Sequence, residues 1–134
     1  MSDQPVQHLY PDLSGKTILI AEDLDVNYRL IEAILKKTKA KLIWAKDGKE
    51  AVDFCTNDCS QIHLILMDLK MPVMSGIEAA SVISRICPGL PIIAQTAFGI
   101  EYSRGATLSA GCVDYIEKPL TLRKVLDVVT KYIN

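Results

Sequence analysis

Three carboxylates stand where apolar runs stop. "KTILIA" leads into Glu22 and Asp23, and "LILM" leads into Asp68. A hydroxyl, Thr96, ends "LPIIAQT", and an ammonium, Lys118, follows "CVDYIE" and precedes Pro119. Carboxylates brought close together repel, and at neutral pH they need protons or a cation. Hard oxygen donors suit Mg2+, which keeps several waters and binds through one or two carboxylates plus phosphate oxygens. A lysine and a hydroxyl nearby suit the remaining oxygens of a phosphoryl group as its charge redistributes. Asp68 is then the candidate nucleophile, able to form an acyl phosphate by in-line attack. Taken singly, each residue also has a plainer reading. Glu22–Asp23 fits a helix-start acidic pair, Asp68 a turn, Thr96 a helix cap and Lys118 a surface lysine. Their joint position is what weighs toward chemistry.

That joint position depends on the elements that carry the residues. Short apolar runs rich in β-formers predict strands over 16–21, 40–45, 62–68, 90–96 and 112–117. Helical spacing follows each strand. Ile31, Ile34, Leu35 and Thr38 share one face; Ala51, Phe54 and Cys55 line the second helix; Ile83 and Ile86 line the third. Asp47 with Glu50, and Ser75 with Glu78, have the spacing of capping boxes. Thr121 caps a last helix bearing Leu122, Val125, Leu126, Val129 and Tyr132. The segment 101–110 is a weak helix, with Gly99, Gly105 and Gly111 around it and a thin apolar face. Strand–helix alternation with near-continuous apolar strands predicts an α/β fold, a doubly wound five-stranded parallel sheet with helices on both faces. In such sheets ligands bind outside the carboxyl ends of the strands, where the chemistry-bearing residues fall.

Bulk properties narrow the classes further. The chain has 134 residues, of which 49% are hydrophobic and 23% charged, as for one ordinary domain. A formal net charge of −1 gives no electrostatic case for nucleic acid or an anionic membrane. The cluster Lys36, Lys37, Lys39, Lys41 is short and reads as a solvated helix end. No apolar stretch reaches the roughly 18–20 residues of a membrane span, and the N-terminal residues lack a signal-peptide core. Cys55, Cys59, Cys87 and Cys112 form no Cys-x-x-Cys pair, so free cysteines and a cytoplasmic location are expected. Residues 1–15 read as a polar tail or linker, and 16–134 as the domain.

Four pieces, "ILIAEDLDVN", "LILMDLKMPVMSGIEA", "PIIAQTA" and "AGCVDYIEKP", together resemble the receiver domain of two-component response regulators. The likeness covers about residues 16–132. The resemblance implies a flavodoxin-like strand order 2-1-3-4-5. It implies that Asp68 accepts a phosphoryl group and that Glu22 and Asp23 hold Mg2+ (or Mn2+), with the backbone carbonyl of Lys70 as a further ligand. Thr96 matches the switch hydroxyl, Lys118 the lysine that pairs with the phosphoryl group, and Tyr115 the aromatic switch. The Lys118–Pro119 bond matches one that is cis in the family, against about 5–6% of X-Pro bonds in general. Lys70 and Phe98 occupy positions that vary among receivers and influence phosphoryl lifetime; here they would shield the acyl phosphate from water. Gly99 stands where many relatives carry alanine. Implied partners are a histidine kinase or histidine phosphotransfer protein, and a second copy of the chain once phosphorylated. A receiver speeds its own phosphotransfer and hydrolysis without being a turnover enzyme. The phrases "AEDLDVN" and "MDLKMPVMSGIEA" look like receivers fused to hybrid sensor histidine kinases, and a free-standing regulator is the other context.

Three other classes compete. A phosphatase or phosphotransferase of the haloacid-dehalogenase type wants a second aspartate two residues after the nucleophile, and Lys70 is there instead. A flavodoxin-like cofactor protein wants a phosphate loop after the first strand, but "EDLDVN" is acidic. A receiver fold kept only for phosphorylation-independent docking has no need of the full set Glu22, Asp23, Asp68, Thr96 and Lys118.

Overall fold

Strands β1 (Thr17–Ala21), β2 (Lys41–Ala45), β3 (Leu64–Asp68), β4 (Ile92–Ala97) and β5 (Asp114–Lys118) form one parallel sheet. Its order is β2-β1-β3-β4-β5, in a computed structural model that describes residues 10–97 and 104–133. Helices α1 (Asp25–Leu35), α2 (Gly48–Asn57), α3 (Gly76–Ile86), α4 (Arg104–Ser109) and α5 (Leu122–Tyr132) connect and cover the strands. Each strand lies within one or two residues of its sequence reading.

The pleat divides the core into two layers. Leu19, Ala21, Ile65, Met67, Ile92 and Ala94 face one way, into the layer that includes Ala51 and Cys55 of α2 and Ala79, Ala80 and Ile83 of α3. Ile18, Ile20, Leu64, Leu66, Ile93 and Ile116 face the other, against α1 and α5. Alternation of period two places these sets on opposite faces, and burial on both faces explains strands that are apolar throughout.

The start signals read from the sequence are formed. Asp47 accepts a hydrogen bond from the Glu50 amide at 2.8 Å. Ser75 and Glu78 make a complete capping box at the start of α3, and the Thr121 hydroxyl accepts from the Lys124 amide. Two face assignments are corrected: Phe54 and Ile86 are both exposed. Ala51 and Cys55, one turn apart, hold the inner stripe of α2, and Phe54 falls at its edge. On α3 the buried stripe is Ala79, Ala80 and Ile83, with Cys87 just beyond it.

The expectation of four free cysteines is also corrected. Cys59 and Cys87 form a disulfide with a Cα–Cα distance of 5.6 Å across 28 residues of sequence. Cys59 lies in a short 3-10 turn after α2, and Cys87 ends α3; the packing of these two helices brings the residues together. Cys55 and Cys112 are free and buried, and burial pushes each thiol up to about 11.

Within the segment read as a tail, residues 10–15 lie against the domain. Leu13 is 1% exposed, and its amide donates to the Thr38 carbonyl at 2.7 Å. Phe98, Gly99 and the start of the segment 101–110 lie outside the described residues; the described helix there is Arg104–Ser109. No helix among the described residues is long and apolar enough to cross a membrane.

Candidate functional site

The site is built at the carboxyl edge of the sheet by strand ends and the turns that leave them. β3 delivers Asp68, whose register partner on β4 is Gln95. Asp68 has the same parity as Leu64 and Leu66, so its side chain belongs to the face covered by α1 and α5. Glu22, two residues past Ile20, has that parity too. Carboxylate oxygens of Glu22, Asp23 and Asp68 lie within 4.8 Å of one another. A cleft of about 240 Å³ opens over them, lined among others by Asp23, Asp68, Lys70, Thr96 and Lys118.

These groups differ in their exposure to water. Glu22 is 0% exposed and Asp68 4%, whereas Asp23 is half-buried and Lys70 exposed. Glu22 Oε2 accepts from the Leu24 amide at 3.2 Å and lies 3.5 Å from Asn27 Nδ2. Glu22 Oε1 is buried without a hydrogen-bond partner among the described residues. Burial, and next the charge of Asp68, push the Glu22 carboxyl up to about 7. Lys118 Nζ stands 3.4 Å from Asp68 Oδ1, and the Lys70 amide donates to the same oxygen at 3.3 Å. The Thr96 hydroxyl is buried and has no partner among the described residues, and neither does the Gln95 amide group.

A buried carboxylate oxygen without a donor, two further carboxylates within reach and an open cleft fit a hard divalent cation with oxygen ligands. On the far side of Asp68, a lysine and an unsatisfied hydroxyl suit an anion attached to that residue.

The residues singled out from sequence converge. Glu22, Asp23, Asp68, Thr96 and Lys118 come to one edge, and Lys70 lines the cleft. The Lys118–Pro119 peptide is cis. Tyr115 is half-buried against the layer formed with α2 and α3. Phe98 lies outside the described residues. Three neighbours were not singled out. Asn27 reaches Glu22 from the first turns of α1, and Gln95 is a buried polar residue in an otherwise apolar strand. Trp44 Nε1 donates to the Glu22 carbonyl at 2.7 Å. Gln95 alone left a signal in the sequence, as the polar break in "PIIAQTA".

The turn after β3 is strained. Val73 has φ +68 and the Met74 amide donates to the Pro72 carbonyl at 2.7 Å, a γ-turn that a β-branched residue rarely adopts. Val73 is 77% exposed; Leu24, which lines the cleft, and Val26 and Leu30 of α1 are exposed as well.

Comparison with known proteins agrees with this geometry. The chain is 36% identical over 123 residues to hybrid signal transduction histidine kinase I of Dictyostelium discoideum, covering 87% of this chain but 7% of that protein. It superposes with a TM-score of 0.81 and 32% identity on a structure of the Saccharomyces cerevisiae histidine phosphotransfer protein Ypd1 with the receiver domain of Ssk1, over 90% of each chain. The receiver domain of sensor histidine kinase PA1611 from Pseudomonas aeruginosa, which holds a magnesium ion in its active-site cleft, gives 0.81 and 32%, covering 90% of this chain and 98% of that one. The family model described as response regulator receiver domain matches residues 18–130, and the chain belongs to that family.

Proposed function

We propose that the chain takes a phosphoryl group from a phosphohistidine onto Asp68, with Mg2+ held by Glu22, Asp23, Asp68 and the Lys70 carbonyl. The observation that carries this is the position of Asp68: a rigid strand end, two other carboxylates on one side, and Lys118 at 3.4 Å on the other. A bound Mg2+ supplies charge neutralisation for the acidic cluster and for the incoming phosphoryl oxygens. The chain's own residues do the rest. An Asp68 oxygen attacks phosphorus, the new O–P bond forms as the donor's N–P bond breaks, and the electron pair returns to the imidazole nitrogen. Lys118 neutralises oxygens on the transferred group, and the Thr96 hydroxyl gains in the phosphoryl oxygens the acceptor it otherwise lacks. Drawing Thr96 toward Asp68 frees space on β4 for Tyr115 to turn inward. The face of α4, β5 and α5 then changes its affinity for partners.

The donor docks over the cleft at Leu24, with the exposed Val26 and Leu30 of α1 and Val73 of the turn after β3 as its further apolar contacts. Exposed apolar side chains beside a polar site favour a protein partner. The Ypd1 complex of the Ssk1 receiver supports a histidine phosphotransfer protein or kinase as that donor. The chain acts either as a free-standing regulator or as part of a hybrid kinase.

The test is intact-mass analysis with a small phosphodonor, comparing the chain with Asp68→Asn, with and without Mg2+. A phosphoryl-sized mass gain that needs both Mg2+ and Asp68 is expected. No gain on the unsubstituted chain, or an equal gain on the variant, refutes the assignment.

A further inference from the structure

The turn between β1 and α1 carries Glu22 and Asp23, and three hydrogen bonds hold it besides the longer contact of Asn27 Nδ2 with Glu22 Oε2 at 3.5 Å. The Glu22 amide donates to the Ala45 carbonyl at 2.9 Å. Glu22 Oε2 accepts from the Leu24 amide. The third hold is the indole of Trp44, whose Nε1 donates to the Glu22 carbonyl at 2.7 Å. The first is backbone to backbone and the second uses a candidate ligand itself. Among the described residues, Trp44 is the one side chain outside the cluster that bonds the peptide joining the two acids.

That indole is itself fixed. Trp44 is the chain's one tryptophan, and it lies on β2 opposite Ile20. Its ring stacks on Tyr28 of α1 with centroids 4.1 Å apart and planes 3° from parallel. Arg29 stands 5.6 Å from both ring centroids, and Lys46 stands 5.0 Å from the Trp44 ring. Stacking and cation–π contacts remove the ring's freedom, so the N–H is aimed before any ligand arrives. A ligand set held in its bound geometry binds more tightly because less ordering remains to be done.

We propose that Trp44, locked by Tyr28, is a positioning residue that presets the Glu22–Asp23 peptide for a divalent cation. It touches neither the cation nor the phosphoryl group. The inference rests on the receiver function proposed above. If Trp44 were only a core ring, its loss would lower stability and leave cation affinity unchanged.

The experiment is calorimetric titration of the full chain with Mg2+, alongside Trp44→Phe and Tyr28→Leu, with melting temperatures recorded. Trp44→Phe keeps an aromatic ring and loses the donor. Its Mg2+ binding is expected to weaken about three- to tenfold, the scale of one hydrogen bond to a carbonyl. The Mg2+ concentration giving half-maximal phosphorylation from a small donor rises by the same factor, while the maximal rate changes much less. Tyr28→Leu keeps the donor and weakens binding less. A folded Trp44→Phe that binds Mg2+ as tightly as the unsubstituted chain overturns the proposal. Should that variant not fold, Tyr28→Leu decides: with the ring no longer locked its Mg2+ binding is expected to weaken, and a folded Tyr28→Leu that binds Mg2+ as tightly as the unsubstituted chain overturns the proposal. An unsubstituted chain with no Mg2+ heat and no phosphoryl adduct refutes the receiver function instead, which separates the two failures.

Discussion

Glu22→Gln tests the electrostatics of the site in the metal-free protein. Glu22 is fully buried, and burial together with the neighbouring Asp68 charge lifts its carboxyl from an ordinary 4.5 to about 7. The folded protein therefore holds this proton more tightly than the unfolded chain does. Below 4.5 both states are protonated and the stabilising contribution is fully present. As pH rises from there, the unfolded chain releases its proton first, and the contribution is lost progressively until the folded group also ionises near 7. At about 1.4 kcal/mol per pH unit, that interval corresponds to about 3 kcal/mol. Glutamine keeps the shape and cannot ionise, so the variant lacks this loss. The assay is urea unfolding in EDTA for both proteins across pH 4.5 to 8.5. The stability difference is expected to move in favour of Glu22→Gln by about 3 kcal/mol, a relative midpoint shift of roughly 1.5–2 M at a urea slope of roughly 1.5–2 kcal/mol/M. Saturating Mg2+ is expected to shrink or reverse the gap, because the ionised Glu22 binds the cation and the amide binds it poorly. Parallel pH curves in EDTA would refute the reasoning.

Three other outcomes follow from geometry. A Cβ on Gly76 would overlap the Asp68 carbonyl and come within 2.7 Å of Leu69 Cα, so Gly76→Ala is expected to cost about 2–4 kcal/mol and to impair phosphorylation. Gly89→Ala, at φ +91 in open space, costs only about 1–2 kcal/mol for its backbone; urea melts compare the two. Val73→Asn relieves a strained exposed turn and is expected to gain about 0.5–1 kcal/mol. It should also slow transfer from a protein donor while leaving a small donor's rate unchanged. The Cys59–Cys87 bridge closes a loop across 28 residues, so reductant is expected to lower urea stability by about 2–4 kcal/mol, an effect absent in Cys59→Ser.

The sheet was legible because parallel strands buried on both faces leave unbroken apolar runs, and each of five runs became a strand. The active edge was legible for a related reason. A polar residue that ends such a run sits at the carboxyl end of a strand, and the ends of parallel strands share one edge. Phe54 and Ile86 were misplaced because a short helix offers several apolar residues for one stripe. Which of them turns inward depends on the neighbour: Ala51 and Cys55 of α2 share one core layer with Ala79, Ala80 and Ile83 of α3, and Phe54 and Ile86 fall outside it. The disulfide was invisible for want of the same tertiary information. Its two cysteines carry no spacing signal and meet only because those helices pack side by side.

Glu22 shows where sequence reasoning stops and packing takes over. The types and order of "AEDLD" were enough to nominate two acids for a cation, but not to distinguish them. Their difference is one of pleat parity. Glu22 continues the series Ile18, Ile20 toward the layer under α1, so its carboxylate is carried inward beside Asp68. Asp23, one residue on, remains half-buried at the cleft. The buried acid is the one whose charge is expensive without a cation, and the one whose backbone carbonyl Trp44 restrains. A strand one residue shorter or longer would turn the Glu22 carboxylate away from Asp68, because a shift of one reverses every side chain. Moving the acid pair by a single inserted residue after Ala21 should therefore abolish Mg2+ binding even though both carboxylates are retained.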